Sequence, residues 1–414
     1  MDQYPADQRL IDYARLVVEV GVNVQKGEPV VINAPVEALD FVRLLTRFAY
    51  EREASEVVVD WRDQEISKMT YDHAPMEVLE TVPDFIYDKD EYYYKRGANM
   101  ISVASNDPDA FAQTDPERLA AASRAFNKKM KPLDHYTMND EVAWCVAAYP
   151  NVKWARKVFP KAQSDDEAYA LLMEAILKMS RMEDADPVQA WKDHIARLSA
   201  RAKILNDYQF DQVHYRSENG TDLTVHLPQG HIWMAASSLD DKGNEFVPNI
   251  PTEEIFSLPH ADKVDGTLVA SKPLVYHGQV INNFSFTFKD GAVTDFQAEQ
   301  GQEVLKNLLD EDEGSRRLGE IALVPYASPI SESGILFYNT LFDENASCHF
   351  ALGACYPTCL EGGADLTSDQ VRAQGGNDSA VHVDFMVGTK DLSIIGTTKD
   401  GQEVAIFKEG NFCF

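Results

Sequence analysis

Basic residues are scarce in this chain. Of its 414 residues, 38 are Lys or Arg against 67 Asp or Glu, a formal net charge of −29. A surface carrying that field repels phosphate backbones and anionic lipid headgroups, which argues against nucleic acid or a membrane as partner. Bulk acidity has an ordinary explanation in solubility; only a specific cluster of carboxylates would point to metal. Cysteine is sparse and odd in number, at Cys145, Cys348, Cys355, Cys359 and Cys413. That disfavours a disulfide framework and fits a reducing, cytoplasmic setting. No stretch approaches the roughly 18 uninterrupted apolar residues of a membrane span. The opening MDQYPADQRLIDYARL shows no basic n-region and no apolar h-region of a secretion signal. Also missing are a G-x-S-x-G elbow, a G-x-x-x-x-G-K-[ST] loop and an H-E-x-x-H helix, which disfavours a serine hydrolase, a P-loop enzyme and a zincin.

What is present reads as an ordinary globular protein, 44% hydrophobic and 25% charged, long enough for two or three domains. The spacing predicts helices over Arg9–Val20, Glu37–Tyr50 and Pro116–Lys129, alternating with short apolar strands over Glu28–Pro35, Ser55–Trp61 and Ala98–Ala104. Such alternation implies crossover units and a parallel sheet, hence an α/β domain. A helical connector follows. Ser164-Asp-Asp-Glu167 is a capping-box pattern, and Asp186-Pro187 places a cap and an N1 proline ahead of a second apolar stripe. From Tyr208 the texture changes. Asn219-Gly220 between alternating stretches is a hairpin signal, and strands are expected over Gly266–Ala270, Val280–Phe288 and Ala292–Ala298. The expected organisation is an α/β domain with its helical connector over 1–205 and a mainly β (α+β) metal-binding domain over 206–414.

The chemistry-bearing residues concentrate in the second part. Val381-His-Val-Asp-Phe-Met-Val387 reads as a strand, so His382 and Asp384 leave the same face roughly 7 Å apart. On periodicity alone, a surface strand with two polar residues outward is the better description. Asp343 to Tyr356 reads as a capped helix start. On it, His349 and Tyr356 would lie two turns apart along one face, offset by roughly 10 Å. His349 would then suit a metal and Tyr356 the substrate side, or each is a partly buried aromatic with its polar tip satisfied. Glu253 and Glu254 are adjacent, so extended backbone sends them to opposite sides and leaves one as a ligand. Glu320 begins the apolar strand Leu318-Gly-Glu-Ile-Ala-Leu-Val324. A carboxylate there is costly unless paired or metal-bound, or else it marks an exposed strand start. Cys348, Cys355 and Cys359 lack paired C-x-x-C spacing and read as small buried hydrophobes.

At these residues the sequence resembles the bacterial metalloaminopeptidases of the aminopeptidase T, aminopeptidase S and PepS family. Four phrases carry the resemblance in order: Asn249-Ile-Pro-Thr-Glu-Glu254, Leu318-Gly-Glu-Ile-Ala-Leu-Val-Pro325, Thr340-Leu-Phe-Asp-Glu-Asn-Ala346 with His349, and Gly375-Gly-Asn with Val381-His-Val-Asp384. It runs essentially the full length. The resemblance implies a metal-ligand set of Glu254, Glu320, His349, His382 and Asp384, with Tyr356 nearby. The choice of Glu254 over Glu253 follows from the motif match. It also implies a homodimer whose N-terminal domain helps enclose the site. Cys348 beside His349 is a departure from the expected pattern.

Five N and O donors with three carboxylates suit two divalent ions about 4 Å apart, of Zn, Co, Mn or Mg. The expected activity is release of N-terminal amino acids from peptides with a free N-terminus by a metal-activated water. In it Glu253 would shuttle the proton to the leaving amine and Tyr356 would support the oxyanion. Two alternatives use the same residues: a metal-dependent hydrolase of another amide or a phosphoester, and a non-enzymatic acidic scaffold.

Overall fold

The computed structural model describes residues 7–414. They form two compact units. One runs up to Ala196 and takes back Ala236–Thr252; the other comprises Arg197–Ala235 and Glu253–Phe414. This differs from a division at 205/206 in one main respect: a segment after 206 rejoins the first unit, where Asn249–Ile250 extends its sheet.

In the first unit, strands β1 (Pro29–Pro35), β2 (Glu56–Arg62), β3 (Asn99–Ala104) and β4 (Trp144–Ala148) lie in the order β2-β1-β3-β4, all parallel. Parallel neighbours need crossovers, and the helices between the strands supply them, among them Leu39–Glu51 and Pro116–Met130. The Pro29-Val-Val-Ile32 run is buried without alternation, as expected of a strand covered on both faces. Ser164 Oγ accepts the Glu167 amide at 3.2 Å and Asp186 Oδ1 accepts the Gln189 amide at 3.1 Å, as predicted, but the reciprocal half of the capping box is shifted by one residue, the Glu167 carboxylate accepting the Gln163 amide at 2.5 Å.

The second unit carries two antiparallel sheets. The larger contains the hairpin Gln212–Arg216/Asp222–His226, turning at Asn219-Gly220, with Val264–Val269, Gln279–Lys289, Ala292–Gln300 and Ser393–Thr397. The smaller has four strands, β5 (Ile255–Ser257), β6 (Leu318–Leu323), β7 (His349–Gly353) and β8 (His382–Met386), antiparallel in that order. Its two faces differ sharply. Ile321, Phe350 and Phe385 stand in one cross-strand row. Phe385 packs on Phe284 and Phe286 at 6.0 and 5.1 Å, and Phe350 on Tyr215 at 5.1 Å, all from the larger sheet. Each such side chain contributes about 1.5–3 kcal/mol by burial. The small sheet is thereby fixed by its apolar face, and its other face carries the polar residues, with Phe256 and Met386 at one end.

The helix expected from Asp343 to Tyr356 does not form. Short helical turns at Thr340–Asp343 and Glu344–Ala346 end at Ser347, whose backbone is extended. The chain continues as β7, buried at every residue. The reason is tertiary: Phe350 fills the slot between Ile321 and Phe385, and burial between two strands overrides a local capping signal. His349 and Tyr356 therefore do not share a helix face.

Gly353 closes β7 with φ of +106°, and a Cβ there would lie 1.9 Å from the Val381 carbonyl oxygen. Gly353→Ala is expected to cost at least about 1–3 kcal/mol, read as a lower urea midpoint of the metal-free protein. A wild-type midpoint would contradict this packing.

Candidate metal centre

The register decides where the ligand candidates point. Opposed residues of antiparallel strands share a face, and so do residues two apart on one strand. Glu320 lies opposite Ala351, which lies opposite Asp384; His382 lies opposite Gly353; His349 lies opposite Ala322. Glu254 is two residues before Phe256, which also opposes Ala322. All five side chains thus leave the polar face of the small sheet. The intervening positions there, Ala322, Ala351 and Gly353, are small and leave room for the longer polar groups. Glu320 sits at a β-bulge, a device that re-aims a side chain. Only glycine fits before it, since a Cβ on Gly319 would lie 2.2 Å from Ala354 O and 2.3 Å from Gly353 O.

The side chains converge. His349 Nε2 is 3.1 Å from Glu254 Oε2, and His382 Nε2 is 2.9 Å from Glu320 Oε2 and 3.4 Å from Asp384 Oδ1. Three sets of donor atoms each fit within 4.8 Å: Glu254–Glu320–His349, Glu320–His382–Asp384 and Glu344–His349–Asp384. Both imidazoles are oriented from behind. His382 Nδ1 meets Ala354 O at 2.7 Å, and His349 Nδ1 meets Glu344 O and Ser347 O, each at 3.1 Å. A carbonyl can only accept, so each Nδ1 carries the hydrogen and each Nε2 faces the carboxylates, the usual arrangement of metal-binding histidines. Tyr356 joins the rim, its ring edge-on to His382 at 5.0 Å and to Phe256 at 5.6 Å.

Glu344 was not anticipated from the sequence. Sequence pattern places it in a helix start, whereas the short helical turn directs its buried carboxylate into the cluster. The one available signal was its place inside the phrase Thr340–Ala346. Glu253 is placed differently. Its amide donates to Asn345 Oδ1 at 2.7 Å, its charge acts on Arg201, and its carboxylate belongs to none of the three sets. Cys348 alternates away from His349, and its thiol donates to Val324 O at 3.3 Å. It adds no sulfur donor to the face.

Burial pushes the Glu320 carboxyl up and drives Glu344 well above the carboxylate range, with Asp384 reinforcing both. Burial also opposes a charged His349, but the Glu254 hydrogen bond and the surrounding carboxylates prevail and raise it to about 10. His382 is likewise held well above its ordinary value, and its charge keeps Asp384 low against burial. Burial and the same carboxylates lift the Tyr356 phenol, so it stays protonated. Without a cation, protons must fill this face. Even so, Asp384 Oδ1 is buried and makes no well-formed hydrogen bond, with His382 Nε2 standing 3.4 Å away. Four carboxylates and two imidazoles, with one carboxylate oxygen poorly satisfied among them, are a donor set that fits divalent metal.

A family model described as "Thermophilic metalloprotease (M29)" matches residues 6–412. The chain is 46% identical over 414 residues to aminopeptidase AmpS of Bacillus subtilis (strain 168), covering all of both chains. It is 45% identical over 405 residues to aminopeptidase PepS of Streptococcus thermophilus, covering 98% of each. Its fold matches wild-type AmpT from Thermus thermophilus with a TM-score of 0.89 at 37% identity, covering 98% of this chain and 99% of that one.

A His349 pKa near 10 means that the metal-free site holds this proton at neutral pH. Metal must displace it, so uptake is expected to release protons, with apparent affinity rising as the pH is raised and levelling only near the His349 value of about 10. Calorimetry in two buffers of different ionisation heat measures this directly; proton uptake or pH-independent affinity would contradict it.

Proposed function

The chain belongs to the M29 metalloprotease family and is a metalloaminopeptidase, and from that premise we propose that Glu254, Glu320, His349, His382 and Asp384 hold two divalent cations. The observation that carries this reading is the overlap of two complete donor sets. Glu254–Glu320–His349 and Glu320–His382–Asp384 share one carboxylate, and together they use all five residues. A bound pair supplies Lewis-acid polarisation of the scissile carbonyl and a water whose pKa falls towards neutrality. Oxygen and imidazole donors of this kind do not separate Zn, Co, Mn and Mg.

The chain's own residues then have distinct tasks. Carbonyl-anchored Nδ1 atoms keep both imidazoles aimed. The Tyr356 hydroxyl, kept protonated by its surroundings, donates a hydrogen bond to the oxygen that gains charge during attack. The crowded carboxylates attract the α-ammonium of a peptide, which accounts for exopeptidase action. The family match and the aminopeptidase relatives favour a peptide substrate over the alternative hydrolase reading. Free thiols at all five cysteines support a reducing, cytoplasmic setting, which belongs to this proposal together with the homodimer. No helix among the described residues is long and apolar enough to cross a membrane.

Purified protein is expected to carry two equivalents of divalent metal, to lose hydrolysis of aminoacyl anilides on chelation and to regain it on readdition. His382→Ala and Asp384→Ala should each lose more activity than the about 10–100-fold that removing an outer hydrogen-bond partner costs, with circular dichroism near that of the parent. Full activity in either variant rejects the ligand assignment.

A further inference from the structure

The phrase Gly375-Gly-Asn377 contributes to none of the three donor sets, yet the chain there is pressed against the end of β7. Gly375 has φ of +100°, and a Cβ on it would lie 2.9 Å from the His260 ring. A Cβ on Gly376 would lie 2.5 Å from Val371 Cγ1 and 2.9 Å from Cys355 Sγ. Two glycines in succession therefore let the backbone of Asn377 reach the residues that follow β7.

Asn377 is buried, at 3% exposure. Its side-chain amide has two hydrogens to place and places both. Nδ2 donates to Gly353 O at 2.7 Å and to Gly314 O at 2.8 Å. Its backbone carbonyl accepts the Cys355 amide at 2.9 Å. Gly353 and Cys355 are thus both held by Asn377, one through its side chain and one through its backbone. Between them lies Ala354. The Ala354 amide donates to Val381 O at 2.7 Å, and the Ala354 carbonyl is the anchor of His382 Nδ1, also at 2.7 Å.

From this geometry, and resting on the two-cation reading above, we propose that Asn377 is a positioning residue for one of the two cations. It brackets Ala354, so that the Ala354 carbonyl, and through it the His382 imidazole, keeps its aim. The selectivity follows from the donor sets. His382 belongs to Glu320–His382–Asp384 alone. His349, in the other set, is anchored by Glu344 O and Ser347 O, and Asn377 bonds neither. Outer hydrogen-bond partners of metal-binding histidines contribute about 10–100-fold in metal affinity. Cutting the side-chain half of the bracket places that loss on one ion and spares the other.

Competition between the metal-loaded protein and a chromophoric chelator tests this. In Asn377→Ala one equivalent should weaken by about 10–100-fold while the other keeps the parent's affinity. Excess metal should then restore most hydrolysis of an aminoacyl anilide. Asn206→Ala controls for a merely structural effect. Asn206 also clamps a residue from two sides, donating to Trp233 O at 2.9 Å and accepting the Trp233 amide at 2.8 Å, but it bonds no anchor of either imidazole. Its loss is expected to destabilise the fold and leave both metal affinities unchanged. Asn377→Ser, which keeps one donor, should fall between the alanine variant and the parent, and it carries the comparison if the alanine variant does not fold. Unchanged affinities in the Asn377 variants would overturn the proposal, as would equal weakening of both ions. So would the same one-ion loss in Asn206→Ala, or hydrolysis that stays lost at saturating metal. Fewer than two equivalents in the parent itself would instead defeat the two-cation reading, a failure distinct from these.

Discussion

Like charges do not share a buried surface unless something neutralises them. Glu254, Glu320 and Glu344 are buried, with Asp384 largely buried beside them, and desolvation of such groups costs several kcal/mol each unless they are paired. The whole of the small sheet is arranged around this constraint. Its polar face collects carboxylates and imidazoles at short range, and the pattern of raised and lowered pKa values describes protons doing what cations would do better. One oxygen of Asp384 even so has only the His382 Nε2 at 3.4 Å and no well-formed hydrogen bond. Positive charge brought to this face relieves every one of these groups together, which is why the centre and the fold of the second unit are difficult to consider apart.

The opposite face provides the rigidity. Phe350 and Phe385 are buried against aromatics of the larger sheet, so the strands carrying His349, His382 and Asp384 have little freedom to slide. A slip by one residue would turn the ligand candidates into the core and the phenylalanines outward. The bulge at Glu320 and the glycines beside it refine the aim within this frame. Asn345 extends the same rigidity to the chain leading into Glu254 and to the Glu344 carboxylate.

Much of this was legible in the sequence, for definite reasons. The parallel sheet of the first unit announced itself through short apolar strands separated by helical stripes, and the Asn219-Gly220 hairpin through its turn chemistry. His382 and Asp384 were legible because a strand's two-residue period is local. His349 could be named as a candidate, but its setting was misread as helical, because Asp343 to Tyr356 begins with capping residues and its strand character comes only from burial between β6 and β8. Glu344 escaped notice for the same reason: a residue just before a strand points wherever the turn directs it, and that turn is set by tertiary contacts. The return of Ala236–Thr252 to the first unit was equally invisible, since Asn249–Ile250 is too short to show a period.

The central claim is that one face of a four-stranded sheet binds two cations through a shared carboxylate. Anomalous diffraction from crystals of the metal-loaded protein, collected at the absorption edge of the bound metal, tests it most directly. The account predicts two peaks, one bounded by Glu254, Glu320 and His349 and the other by Glu320, His382 and Asp384. A single peak, or peaks away from this face, would contradict it.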